Sequence, residues 1–172
     1  DYDSDGQYIA VVHRPETGTT IKNGVGGERL IALSNEVCGL IDDWIANRRP
    51  DVDDEFGRQP LVSTSNGRAH RSTLRGDCYR YTRPCVSTGE CPHDRDVDDC
   101  DAMNYTAAFD CPSSVSPHAL RRGGITHHLN NDVPKEVVSD RANVTAGVLE
   151  EHYDRRSQHE KMEQRRGYLD NV

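Results

Sequence analysis

Two stretches of this chain hold residues that could do chemistry together: SPHALRRGGITHHL, residues 116–129, and LEEHYDRRS, residues 149–157. His118 and Arg121 lie three residues apart, so on a helix both side chains project from one face. The planar fork of an arginine matches two oxygens of a phosphate. A histidine can take or give a proton near neutral pH. Tyr153 belongs to the residue types that form covalent intermediates. Its free pKa, ~10, makes it a weak nucleophile unless cations stabilise the phenolate. Phosphate clamp, proton carrier and phenol together point to transesterification of a phosphodiester. Taken alone, a histidine and an arginine at this spacing are equally well explained as a surface histidine and a salt-bridged arginine.

Those residues need elements to hold them. Ser116 and Pro117 read as the cap and first position of a helix running to about Asn130. DVPKEVVSDR gives a short helix with Pro134 near its start, and Thr145 caps a third that leads to Tyr153. Upstream, apolar runs at Tyr8–Val12 and Leu30–Leu33 flank a Gly- and Thr-rich connection and read as two antiparallel strands. Ser34 caps a helix to about Arg48, with Val37, Leu40, Ile41, Trp44 and Ile45 at helical spacing on its buried face. PLVSTSNGR is a short extended segment and turn. A further helix spans about Ser72 to Arg83, with Leu74, Cys78 and Tyr81 on one side. Cys38 and Cys78 fit small core positions. The stretch 154–172 is a charged C-terminal tail, a solvated helix or partly disordered.

The 172 residues suffice for one domain with a core. Net charge is −8, hydrophobic content is 34%, and Lys22, Lys135 and Lys161 are the only lysines. Partial disorder would explain this composition. Adaptation to high salt explains it better, because the periodic segments read as folded elements. No apolar run approaches the ~20 residues of a membrane span, and no signal-peptide pattern opens the chain, so the expected location is cytoplasmic.

Residues 84–113 form a cysteine-rich insertion without periodicity. Cys85, Cys91, Cys100 and Cys111 offer four thiolates, with His93 as a spare nitrogen. Four such ligands suit a structural zinc, and a long irregular loop needs something to pin it. Free thiols or one disulfide are the alternatives.

The order strand, IKNGVGGERLIAL, strand, helix, SPHALRRG and VLEEHYDRRS resembles the catalytic domain of tyrosine recombinases, the phage-integrase family, over about Tyr8–Arg156. It looks closest to the haloarchaeal integrase-like branch. The resemblance implies an α+β fold, mainly helical with a small antiparallel sheet at one edge. It implies site-specific recombination of double-stranded DNA through a 3′-phosphotyrosyl intermediate, with four protomers on two duplexes and no cofactor for catalysis. By position, Tyr153 matches the nucleophile, Arg121 the phosphate clamp, and His118 the histidine of the same box. Lys22 matches the lysine between two strands that protonates the leaving 5′-oxygen. Where the family has a second histidine or tryptophan, VVSDRANVT offers Arg141. The family's first arginine precedes the first strand, and this chain opens at DYDSDGQYIAVV. The expectation is therefore a single domain over 1–172, truncated at its N-terminus and inactive as it stands. Topoisomerase activity, or a non-catalytic DNA-binding or interaction protein that keeps the fold, are the alternative readings.

Overall fold

The structure is a computed structural model that describes residues 1–154 and 156–169. The chain is α+β, rich in helix with a small antiparallel sheet, and divides into two compact units, 1–117 and 118–172. No helix among the described residues is long and apolar enough to cross a membrane.

The first unit opens with a three-stranded antiparallel sheet of β1 (Tyr2–Asp3), β2 (Tyr8–Val11) and β3 (Arg29–Ala32). Tyr8 faces Ala32 and Val11 faces Arg29 across the central pair. Both expected strands are present within a residue or two, while the short β1 had no signal in the sequence. Helix α1 (Asn35–Asp43) starts where expected, with the Ser34 hydroxyl accepting from the Val37 amide, and continues as a wider π-helical turn over Trp44–Arg48. Its covered face differs from the expected one. Cys38 is buried and Ile41, Trp44 and Ile45 are half-buried, but Leu40 is 67% exposed and Val37 is exposed too. Of the five residues that apolar spacing marked, the neighbours cover three. The Trp44 indole donates to the Leu61 carbonyl at 2.7 Å. A hairpin of β4 (Ser63–Thr64) and β5 (Gly67–Arg68) follows, then α2 (Arg71–Tyr81). On α2, Cys78 is half-buried while Leu74 and Tyr81 are exposed.

The cysteine-rich segment is more ordered than its sequence suggests. It forms α3 (Pro84–Thr88) and two 3-10 turns, Asp101–Met103 and Tyr105–Asp110. Protein packing pins it. Arg83 is 2% exposed, with its guanidinium donating to the carbonyls of Ala102 and, at 3.0 Å, Arg80. Ala102 and Ala108 are buried, Phe109 meets Tyr79 edge-on at 6.3 Å, and the Tyr105 hydroxyl donates to the Thr73 carbonyl at 3.2 Å. The Val115 amide donates to Thr82 Oγ1 at 2.8 Å, closing the segment back onto the end of α2. Arg83→Ala should therefore cost about 2–4 kcal/mol, from a cavity plus buried carbonyls left without a donor. A fall in the denaturant midpoint measures it, and an unchanged midpoint would show that Arg83 does not hold the segment.

The second unit is built from α4 (Pro117–Asn130), α5 (Lys135–Ala142), α6 (Ala146–His152) and α7 (Gln158–Leu169). The first three match the expected helices, and the Thr145 hydroxyl caps α6 by accepting from the Val148 amide. Ile125 and Leu129 of α4, Val138 of α5 and Leu149 of α6 form the core, with Val133, Ala142, Val144 and Tyr153 packed against it. Of the charged tail, α7 is helical, and Arg155 and residues 170–172 lie outside the described residues.

Candidate functional site

The residues expected to act fall in both units. In the first, Lys22 is exposed, in a turn of the β2–β3 connection just before Asn23, whose φ is 73°. That connection is braced at its base. Arg14 and Thr19 pair through two backbone hydrogen bonds of 2.7 and 2.9 Å. Arg58 and Arg68 then donate to Thr17 Oγ1 and Thr19 Oγ1, each at 2.8 Å. Both guanidiniums are aimed by one carboxylate, Asp54, at 2.9 and 2.7 Å. Burial alone would raise the Asp54 carboxyl, but the hydrogen bonds from Arg58 and Arg68 and from two backbone amides hold it well below the usual carboxylate range.

In the second unit, α4 sets out its side chains in two stripes. His118 and Arg121 lie on the stripe that continues into Ile125 and Leu129, the two residues of this helix that are buried. Both sit beyond the end of the core and are exposed. Arg121 reaches α5, donating to the Ala142 carbonyl at 2.5 Å, which places it beside the residue that follows Arg141. Arg141 itself is half-buried in the last turn of α5.

Tyr153 is half-buried and packs against the core. Its amide still bonds the Leu149 carbonyl at 3.0 Å, but its φ of −124° takes the chain out of the helix. That departure lets two consecutive residues, His152 and Tyr153, line one open pocket of ≈ 540 Å³, although neighbours on a continuous helix would diverge. Arg122, Thr126 and Asn130, spaced by four residues along α4 and so on one face, line it too, with Arg156 and Glu160. The pocket thus joins Tyr153 to His152 and Arg122, and none of His118, Arg121 or Arg141 lines it.

Directly behind Tyr153 lies a buried charge cluster. The Asp154 side chain is fully buried and pairs with Arg156 at 2.8 Å, Lys135 at 2.9 Å and Lys161 at 3.6 Å. Two of the chain's three lysines therefore meet one carboxylate. Arg156 also donates to the Leu129 carbonyl at 2.9 Å and to Gln164 at 3.0 Å, tying the end of α4 to α7. The Arg156 bond and then the Lys135 bond hold the Asp154 carboxyl well below the usual range against the opposing effect of burial. This cluster was not foreseen. Its signal was faint: two lysines in a chain nearly free of them, and a charged run after the tyrosine.

The four cysteines expected to bind zinc, Cys85, Cys91, Cys100 and Cys111, are free thiols, buried or half-buried. Among the described residues no three His, Cys, Asp or Glu side chains stand close enough to hold a metal ion. His93 instead shares a hydrogen bond of 2.9 Å with Ser113.

No family model, no curated protein and no solved structure matches this chain.

Proposed function

We propose that this chain is a tyrosine-type DNA recombinase catalytic domain, acting on double-stranded DNA by transesterification. The observation that carries the reading is the placement of Tyr153. It leaves α6 with its ring against the core and lines a pocket shared with a face of α4, the helix that bears His118 and Arg121. In the reaction, the Tyr153 oxygen forms a bond to the phosphorus of a backbone phosphodiester and the bond to the 5′-oxygen breaks. By the resemblance alone, the phenol proton passes to the histidine matched by His118, and the lysine matched by Lys22 protonates the leaving 5′-oxygen. Arg121 and Arg141 donate to the non-bridging oxygens, where negative charge gathers in the transition state. A 5′-hydroxyl of a second strand reverses the step, so no external energy source is consumed. The resemblance extends to four protomers on two duplexes and to a cytoplasmic setting.

The charge balance shapes how such a protein holds DNA. A chain of net charge −8 gains little from long-range attraction to phosphates. At ~1 M salt the Debye length is about 3 Å, so binding rests on arginines in direct contact. A non-catalytic, DNA-binding protein of the same fold is favoured by one observation: the Tyr153 pocket contains none of His118, Arg121 and Arg141.

Covalent capture separates the two. A pool of random-sequence duplexes carrying 5′-bridging phosphorothiolates traps an attacking tyrosine, because the thiolate released re-attacks poorly. In protein that also carries the family's first arginine, an adduct resistant to denaturant supports the enzyme, and binding without any adduct supports the non-catalytic reading. Zinc in the cysteine-rich segment is a separate proposal with its own measurement. About one equivalent in protein purified without added metal, lost on Cys100→Ser, would require this segment to rearrange around the ion. Metal-free protein with an unchanged fold would leave Arg83 and the packing on α2 as its support.

A further inference from the structure

We infer that Arg122, the neighbour of the arginine singled out by spacing, binds the phosphate that Tyr153 meets; this rests on the reading above and deepens it. Arg121 is occupied by the Ala142 carbonyl, where it fixes α5 against α4. Arg122 stands one residue further round the helix, on the face with Thr126 and Asn130 that lines the pocket with Tyr153. It is exposed, and no hydrogen bond or ion pair among the described residues engages it.

The two permanent charges beside Arg122 in the pocket, Arg156 and Glu160, are already committed. Arg156 is paired with Asp154. The Glu160 carboxylate accepts from the Ser157 amide at 2.6 Å and its hydroxyl at 2.7 Å at the start of α7. His152 lies 3.8 Å from Glu151. Arg122 is thus the pocket's guanidinium with both arms of its fork open, next to a phenol and to the neutral donors Thr126 and Asn130. A tetrahedral oxyanion is the ligand that a forked donor and two neutral polar side chains suit. A phosphate seated there lies between Arg122 and Tyr153, and Arg122 adds a donor to those of Arg121, one arm of which holds α5 against α4.

Two measurements test this. Inorganic phosphate titrated into the protein should shift the amide NMR signals of Thr126, Asn130 and Tyr153, and Arg122→Ala should abolish those shifts. In the capture assay, Arg122→Ala should lower the rate of adduct formation ~10²–10³-fold, the usual cost of losing one preorganised donor. Added guanidinium ion should restore part of it, and the thermal midpoint should stay at the wild-type value. Arg121→Ala should lower that midpoint instead. Phosphate shifts that persist in Arg122→Ala, or their absence in the wild type, would overturn the inference. So would wild-type adduct rates in Arg122→Ala while Tyr153→Phe forms none, an outcome that leaves the recombinase reading standing. An adduct that survives Tyr153→Phe removes that reading, while the phosphate titration still decides the fate of the Arg122 site.

Discussion

In protein that also carries the family's first arginine, Tyr153→Phe abolishes covalent capture of DNA and leaves the fold and DNA binding close to wild type. The substitution removes one oxygen and keeps the ring that packs against Ile125, Leu129, Val138 and Leu149. Its energetic cost to folding is correspondingly small, because the hydroxyl of this half-buried residue has no hydrogen-bond partner among the described residues and is not sealed from solvent. The chemical cost is of another order. Deleting the nucleophile of a covalent mechanism lowers turnover by on the order of 10⁶, far below the detection limit of an adduct assay. The check is a denaturing gel of the captured complex beside a filter-binding curve at matched salt. An adduct of wild-type intensity in the variant would mean that another residue attacks, and the assignment of Tyr153 would be wrong.

Asp154→Asn should destabilise the protein by up to about 3–5 kcal/mol, because it removes the one buried carboxylate of the cluster and leaves its cations only the exposed Glu150 and Asp132. Lys135, Arg156 and Lys161 all lean on this one carboxylate, and Arg156 links it to the end of α4 and to α7. The same cluster sets a pH dependence. The folded-state pKa of Asp154 is depressed, so the unfolded chain takes up its proton first as pH falls. The stability contributed is fully present above the unfolded value of ~3.9 and drains away as pH drops below it toward the folded value. Denaturant midpoints should fall steeply below about pH 4 in the wild type and show a weaker dependence there in Asp154→Asn. Glu163→Gln is the control. Its pair with Arg166 at 2.9 Å is exposed on both sides, and such pairs contribute roughly 0–1 kcal/mol. Equal losses in the two variants would show that burial of the Asp154 cluster has no energetic weight.

The pocket around Tyr153 also explains how little the spacing of His118 and Arg121 could settle. Helical spacing identifies which side chains share a face. It does not say which of two adjacent faces meets a neighbouring helix. On α4 the 118–121–125–129 stripe runs into the core, so its polar end is drawn to the C-terminus of α5, and the 122–126–130 stripe is the one left to line the pocket with Tyr153. The two stripes differ by one residue, a rotation of about 100° on the helix.

Local rules account for much of the fold. Caps at Ser34 and Thr145, the Pro117 start of α4, and the alternation of apolar and turn residues around β2 and β3 place the elements within a residue or two, because each is decided by contacts a few residues away. Spacing also marks Tyr153, His118 and Arg121 as residues able to act on a phosphate. The tertiary structure alone decides the rest. It leaves Leu40 exposed and buries Arg83, orders the cysteine-rich segment on α2, and gathers Lys135, Arg156 and Lys161 on Asp154. It also puts Arg122 rather than Arg121 in the pocket that Tyr153 lines. The contacts of Arg83 with Ala102, Tyr105 with Thr73, Lys135 with Asp154 and Arg121 with Ala142 join residues 19 or more apart, and the rest follow from how the helices pack, which no local pattern encodes.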